Sequence, residues 1–147
     1  SWEGHGYFDS NAGSRPLEAD FVRWDWSRAA LSGGRASVVY DMVRKSGEDL
    51  SLGFEFAPDC GMRAFTPPPT RSMGRGLWRV DRWTQADPDT TPRVTARLED
   101  APFYARSLIE TKILGEETVA VHETLDCRRL EQAWVKCLLP FRMPRRA

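Results

Sequence analysis

The chain has 147 residues, the length of one ordinary domain, and its 21 Lys and Arg residues balance 21 Asp and Glu residues, so the formal net charge is zero. Without a net positive charge to attract a polyanion, nucleic-acid binding is disfavoured. The three cysteines are an odd number without C-x-x-C spacing, which argues against a disulfide framework or a zinc site and favours a reducing cytoplasm.

A polar segment opens the chain. If the backbone is extended, four of its side chains share one face because side chains alternate with period two; these are His5, Tyr7, Asp9 and Asn11. At ~3.3 Å per residue, the Tyr7 and Asp9 backbones lie about 6.6 Å apart, so Tyr7 can assist Asp9, whereas His5 lies about 13 Å from Asp9. The structural alternative is that Asp9 and Asn11 cap a turn before Gly13.

Alternation of apolar and polar residues then predicts a series of short strands separated by turn-forming segments. The strands follow one another without intervening helices, which predicts an all-β, antiparallel barrel or sandwich and disfavours a parallel α/β sheet. Loops are predicted at the proline-containing segments 67–69 and 87–89. The predicted strands are Phe21–Ala29, Ala36–Arg44, Leu50–Ala57, Gly76–Thr84, Pro92–Glu99, Tyr104–Leu114 and Thr118–Cys127.

The first predicted strand carries Trp24 and Trp26 on one face and Arg23 and Asp25 on the other. Two indoles at this spacing are commonly core residues. An indole face also stabilises a nearby cation by ~0.5–2 kcal/mol once water is excluded, so the same pair would suit the wall of a site that forms a carbocation. Both interpretations stay open at this point.

Familiar catalytic signatures are missing. The sequence contains no G-x-S-x-G elbow, no Walker loop and no H-E-x-x-H pair, and its two histidines are far apart, so neither a metal site nor a cofactor fingerprint is indicated. Chemistry would therefore use carboxylates, hydroxyls and aromatic rings. For Glu110, His122 and Glu123 the favoured interpretation is an ordinary exposed or hydrogen-bonded strand position.

The last part of the chain has helical periodicity. Apolar residues at helical spacing predict one amphipathic helix over Arg128–Leu139, which would cover an end of the barrel and stop at Pro140. The tail that follows mixes apolar and basic residues, which suits either a solvated tail or peripheral contact with an anionic membrane surface.

Stretches across nearly the whole chain resemble the carotenoid 1,2-hydratase (hydroxyneurosporene synthase) family. No single short motif carries this resemblance. The matching stretches are GYFDSNAGSRPLE at 6–18, WDWSRA at 24–29, PFYARS at 102–107, AVHETL at 120–125, WV at 134–135 and LPFRMPRR at 139–146.

The resemblance implies two tandem lipocalin-like β domains, with residues 1–147 forming the second, so that an N-terminal lipocalin-like domain is an expected partner. Beginning at Ser1 without a Met agrees with this expectation. It also implies a lyase that adds water to the C1=C2 bond at the acyclic end of carotenoids such as neurosporene and lycopene, without a cofactor. The family's catalytic Tyr and Asp match Tyr7 and Asp9, and its further catalytic His and Trp lie upstream of this chain.

Physical chemistry agrees with a carboxylic acid as the proton donor. An isolated alkene has no carbonyl to polarise, so the first step is protonation of carbon, and burial can raise a carboxyl pKa by ~3–5 units to keep it neutral. Asp9 is the candidate acid, Tyr7 or Asn11 would position the water, and Trp24 and Trp26 would shield the cation and bind the polyene.

Two alternatives assign no chemistry to this chain. A lipocalin-like carrier would hold a polyene or another apolar ligand without changing it, since fold alone does not decide function. A structural half would only pack against a catalytic half and complete it. In either case Asp9 would not act as an acid.

Overall fold

The computed structural model describes Ser10 and residues 12–141. Tyr7, Asp9 and Asn11 lie outside the described residues, as do residues 142–147 of the basic tail. The helices and strands, in chain order, are α1 (Leu17–Asp20), β1 (Phe21–Ala30), β2 (Ala36–Arg44), β3 (Leu50–Phe56), β4 (Met62–Phe65), β5 (Thr70–Arg75), β6 (Asp81–Gln85), β7 (Arg93–Asp100), β8 (Tyr104–Ile113), β9 (Glu116–Asp126), α2 (Cys127–Leu130) and α3 (Ala133–Leu138).

Seven strands form one antiparallel sheet in the order β4-β3-β2-β1-β9-β8-β7, and β5 and β6 form a separate hairpin. Most neighbours in the sheet are consecutive in sequence, but β1 pairs with β9 and so joins the two ends of the described chain. Strand β6 lies against β1, β2 and β9. The predicted all-β, antiparallel class is confirmed, with β4 and β7 as the two edges of an open sheet within the described residues.

A tight turn of two residues, Leu114 and Gly115, connects β8 to β9. Leu114 has φ 55° and Gly115 has φ 81°, and a tight hairpin turn of this type needs positive φ at both central residues. Gly53 meets a different constraint, because a Cβ atom there would lie 2.9 Å from the ring of Phe65. The glycine therefore lets β3 and β4 approach closely.

Three features differ in detail from the sequence prediction. The predicted strand Gly76–Thr84 is strand only from Asp81, because the preceding residues form the tip of the β5–β6 hairpin. Strands β4 and β5, on either side of the proline loop, were not predicted. The predicted helix Arg128–Leu139 is present as the two short helices α2 and α3, separated where Gln132 takes an extended conformation.

One face of the sheet forms the core, and it is apolar at one end and polar at the other. At the apolar end the buried cluster comprises Ala29, Leu31, Val39, Ile109, Ile113 and Ala120, with Phe65, Met73, Val94 and Leu114 packed against it. Towards the other end of β1 and β9, the same face carries Asp25, Ser27, His122 and Thr124, all buried. The sheet therefore covers both an apolar core and a polar cluster.

Two valines test the position of the core. Val39 is 5% exposed and Val119 is 53% exposed, so the same Val→Ala change removes buried carbon in one case and exposed carbon in the other. We expect Val39→Ala to lower the free energy of unfolding by about 1.5–3 kcal/mol. Val119→Ala should cost less than about 1 kcal/mol. Urea unfolding of the two variants measures the difference, and equal losses would contradict the assignment of the core face.

Candidate functional site

The described part of the predicted site consists of Trp24 and Trp26, which lie on one face of β1 as predicted. The Trp24 ring packs edge-on against Phe21, with centroids 5.0 Å apart, and against Tyr40, with centroids 6.2 Å apart. Trp26 is opposite Tyr40 on β2 in the strand register. Both indoles are half-buried. We call this side of β1 the tryptophan face.

The opposite face of β1 carries Asp25, which is 2% exposed. Its Oδ1 accepts a hydrogen bond from the Thr124 hydroxyl, and its Oδ2 accepts one from the Arg23 guanidinium. Arg23 also donates to Asp41 Oδ2 at 2.9 Å and lies 5.4 Å from the centroid of the Trp83 ring. Two carboxyl groups thus share one guanidinium, which β6 covers with an aromatic ring.

His122 lies beside this carboxyl and is fully buried. Its Nε2 is 2.7 Å from the Trp83 carbonyl oxygen and 3.8 Å from Asp25 Oδ1. A carbonyl oxygen only accepts, so Nε2 carries the hydrogen of the neutral ring and Nδ1 carries the lone pair. Within the described residues Nδ1 has no hydrogen-bond partner. The imidazole therefore links the sheet to β6 by one hydrogen bond, from Nε2 to the Trp83 carbonyl.

Burial shifts both groups towards their neutral forms. Desolvation raises the pKa of Asp25 to about 7, against the opposing charge of Arg23. Desolvation lowers the pKa of His122 to about 4, against the stabilising bond to the Trp83 carbonyl. At neutral pH the imidazole is uncharged and the carboxyl is near its midpoint. Asp25 could therefore hold or release a proton, although β6 covers it in this structure.

Further polar contacts attach β6 to the sheet. Arg82 is 3% exposed and its Nη1 donates to the Ser107 hydroxyl at 3.4 Å. The Gln85 amide donates to the Ser51 hydroxyl at 2.6 Å. Because these contacts reach β3 and β8 on opposite sides of β1, they fix both the position and the direction of β6 over the polar cluster.

Sequence reasoning did not identify Asp25 and His122 as a pair. It interpreted His122, Glu110 and Glu123 as exposed or hydrogen-bonded strand positions, and the structure agrees. His122 donates to the Trp83 carbonyl, Glu110 pairs with Arg93 at 3.0 Å and Glu123 pairs with Arg106 at 3.1 Å. The available signal was alternation, which puts Asp25 on the face of Ala29 and His122 on the face of Ala120. That signal becomes informative only once β1 is known to pair with β9.

The two pKa shifts affect stability in opposite directions. The folded pKa of His122, about 4, is below its ordinary 6.5, so its contribution to stability is lost as the pH falls between these values. The folded pKa of Asp25, about 7, is above its ordinary 3.8, so its contribution is present at low pH and is lost as the pH rises towards 7. Between about pH 4 and pH 6.5 a falling pH therefore lowers stability through His122 and raises it through Asp25.

Replacing each group separately should reveal the two effects. His122→Gln can keep a bond to the Trp83 carbonyl, and we expect it to gain stability relative to the wild type, by up to about 3 kcal/mol, as the pH falls from 6.5 to 4. Asp25→Asn should instead gain relative stability as the pH rises from 4 to 7. Urea unfolding across this range measures both slopes. Profiles parallel to that of the wild type would contradict the shifts.

Comparison with known proteins adds an independent observation. The acyclic carotenoid 1,2-hydratase of Cereibacter sphaeroides is 46% identical over 145 residues, which cover 99% of this chain and 52% of that protein. The enzymes of the same name from Thiocapsa roseopersicina and Rhodobacter capsulatus are 46% and 43% identical, over 36% and 52% of their lengths. The chain thus spans about half, or less, of these relatives. No solved structure matches it.

The family model described as carotenoid hydratase CrtC matches residues 1–147. Because that match covers the chain from end to end, and because relatives at 40–46% identity carry the corresponding name, the chain belongs to the carotenoid hydratase CrtC family, as its sequence resemblance predicted.

Proposed function

We propose that this chain is part of a hydro-lyase that adds water to the C1=C2 double bond at the acyclic end of a carotenoid. One observation carries the proposal: 46% identity over 99% of the chain to a protein named acyclic carotenoid 1,2-hydratase. The chain covers 52% of that relative, so the proposal concerns the whole protein, in which an N-terminal lipocalin-like domain would supply the rest of the site.

The proposed reaction begins with proton transfer from Asp9 to C2, which leaves a tertiary cation at C1. A water molecule positioned by Tyr7 or Asn11 attacks C1, and the proton that it loses returns to the Asp9 carboxylate. The product is a tertiary alcohol and the acid is regenerated, so the reaction needs no cofactor. Burial of Asp9 against the apolar substrate would keep its carboxyl neutral before the transfer.

The tryptophan face supports an aromatic environment for the cation. The Trp24 ring packs edge-on against both Phe21 and Tyr40, so aromatic rings lie side by side here. Aromatic rings provide the negative face that attracts a positive charge without acting as a nucleophile towards it. Trp24 and Trp26 are therefore proposed to line the substrate site and to shield the cation from stray water.

The proposed location is the cytoplasm, with contact at the membrane surface. Among the described residues no helix is long and apolar enough to cross a bilayer. All three cysteines are free thiols, which a reducing compartment would maintain. A carotenoid dissolves in lipid, so an enzyme acting on it must meet the membrane or a lipid carrier; the basic tail after Phe141 is one candidate contact.

The acid role of Asp9 has a direct test in the full-length protein. We expect Asp9→Asn to abolish formation of the hydroxylated product while carotenoid binding stays within a few-fold of the wild type. Asp89→Asn is the matched control, because Asp89 is a surface carboxyl paired with Lys112. Reaction in ¹⁸O-labelled water should place the label at C1. Product formation at the wild-type rate by Asp9→Asn would favour the carrier or structural alternative.

The shielding role of the tryptophan face predicts a dependence on aromatic character. Trp24→Leu should lower kcat about 2- to 30-fold, the range expected for loss of a cation–π contact, whereas Trp24→Phe should retain most of the activity. Trp134→Leu, at an indole that is 47% exposed on α3, is the control. Equal kcat values for the Leu and Phe variants at position 24 would contradict a role in stabilising charge.

A further inference from the structure

The tip of the β5–β6 hairpin exposes two large apolar side chains. Leu77 is 79% exposed, the largest value among the exposed large hydrophobic residues described, and the neighbouring Trp78 is 38% exposed. Adjacent apolar residues of this size at a loop tip leave a substantial area of carbon in contact with water. A contiguous exposed apolar patch rimmed by polar groups is a feature of binding surfaces.

The backbone of the tip is held firmly, so the exposure does not result from a loose loop. The Leu77 amide donates to Asp100 Oδ2 at 2.6 Å. Arg129 Nη1 donates to the Trp78 carbonyl at 2.6 Å, and the Arg79 amide donates to the Gly76 carbonyl at 3.0 Å. These bonds use the backbone groups of the tip and direct its apolar side chains outward.

Gly76 tightens this arrangement further. A Cβ atom at this position would lie 2.4 Å from Asp100 Oδ2, so a larger residue would displace the carboxylate that bonds to the amide of the following residue. The tip is therefore a preformed projection, and binding through it would cost little conformational entropy.

Charged residues flank or contact the tip. Arg75 and Asp81 end the two strands of the hairpin, and Asp100 and Arg129 bond to the tip backbone. Arg75 is paired with Asp81, and both arginines of α2 lie 3.7 Å from Asp126. Arg79 is exposed and forms no ion pair within residues 12–141. Its guanidinium is available to an external anion.

We propose that the tip Gly76–Arg79 inserts Leu77 and Trp78 into the surface of an anionic phospholipid bilayer, with Arg79 contacting the headgroups. Tryptophan and arginine both favour the boundary between headgroups and acyl chains, where an apolar body meets a polar partner. Two adjacent apolar side chains are enough to insert among lipids, whereas a protein partner would need a broader complementary surface. The choice of lipid rests on the proposed function, because a carotenoid substrate is dissolved in the bilayer.

Flotation with vesicles, in the absence of carotenoid, tests this inference on the full-length protein. The vesicles contain phosphatidylcholine with or without phosphatidylglycerol. We expect the double variant Leu77→Ser/Trp78→Ser to lower binding to both kinds of vesicle by roughly tenfold or more, because two inserted apolar side chains are lost. Arg79→Gln should lower binding about fivefold on vesicles with phosphatidylglycerol and leave binding to pure phosphatidylcholine unchanged.

Val119→Ser is the matched control, since Val119 is 53% exposed and lies on β9. It is about 20 Å along that strand from Asp126, the end of β9 that is followed by Arg129 and its bond to the tip. Its vesicle binding should stay within about twofold of the wild type. Circular dichroism and the unfolding midpoint verify that each variant is folded. Undiminished binding by the folded double variant would overturn the proposal. Loss of stability in the double variant with unchanged vesicle binding would also overturn it, because that result would indicate that the tip packs against the N-terminal domain.

A second measurement separates this inference from the proposed function. The double variant should hydrate a detergent-dissolved carotenoid at the wild-type rate and a vesicle-dissolved carotenoid more slowly. If neither the wild type nor the variant hydrates carotenoid in detergent, the proposed function fails while the flotation result still decides the role of the tip. Equal rates on vesicle-dissolved substrate would overturn insertion as the route to substrate.

Discussion

The pairing of β1 with β9 is the constraint on which the rest of the described structure depends. Its register places Asp25 opposite Thr124, Ser27 opposite His122 and Ala29 opposite Ala120. Because side chains alternate along each strand, this one register puts the polar groups together on the core face and leaves Trp24 and Trp26 on the other. A slip of one residue would bury the indoles and expose the carboxyl, so the register is strongly specified.

Burying the polar cluster costs desolvation free energy, and the neutral forms of its groups reduce this cost. Asp25 and Asp41 share the guanidinium of Arg23, and two ionised carboxylates there would leave a net negative charge in a largely desolvated site. A pKa of about 7 for Asp25 allows that carboxyl to take up a proton near neutrality, and the neutral state of His122 avoids a further charge. What remains is a set of directional hydrogen bonds, which fix the position of β6 more precisely than apolar contact alone would.

Local sequence patterns were sufficient to predict the long strands. They were insufficient where a residue's conformation or contacts depend on a partner that is distant in sequence. Alternation predicted β2 over its full length, and the short gap between the predicted strands Tyr104–Leu114 and Thr118–Cys127 predicted the β8–β9 connection, because both signals are contained in neighbouring residues. The predicted strand Gly76–Thr84 was too long because Leu77 and Trp78 belong to a tip whose shape depends on Asp100 and Arg129. The bond between Asp25 and Thr124 joins residues 99 positions apart, so only the fold identifies it. The proposed acid, Asp9, rests on family resemblance, since it lies outside the described residues.

The hairpin shows why an apolar pair can stay exposed in a well-ordered structure. At its inner end β6 is fixed by the bond that the Trp83 carbonyl accepts from His122 and by the bonds that Arg82 and Gln85 donate to the sheet. At its outer end Arg129 donates to the carbonyl of Trp78. An unpaired backbone group in a buried position costs about 1–3 kcal/mol, comparable to the gain from burying one leucine side chain. Turning the tip inward to bury Leu77 would break its amide bond to Asp100 as well as the bond from Arg129. The balance therefore keeps the backbone bonded and the apolar side chains outside, where an external apolar surface can cover them without breaking either bond.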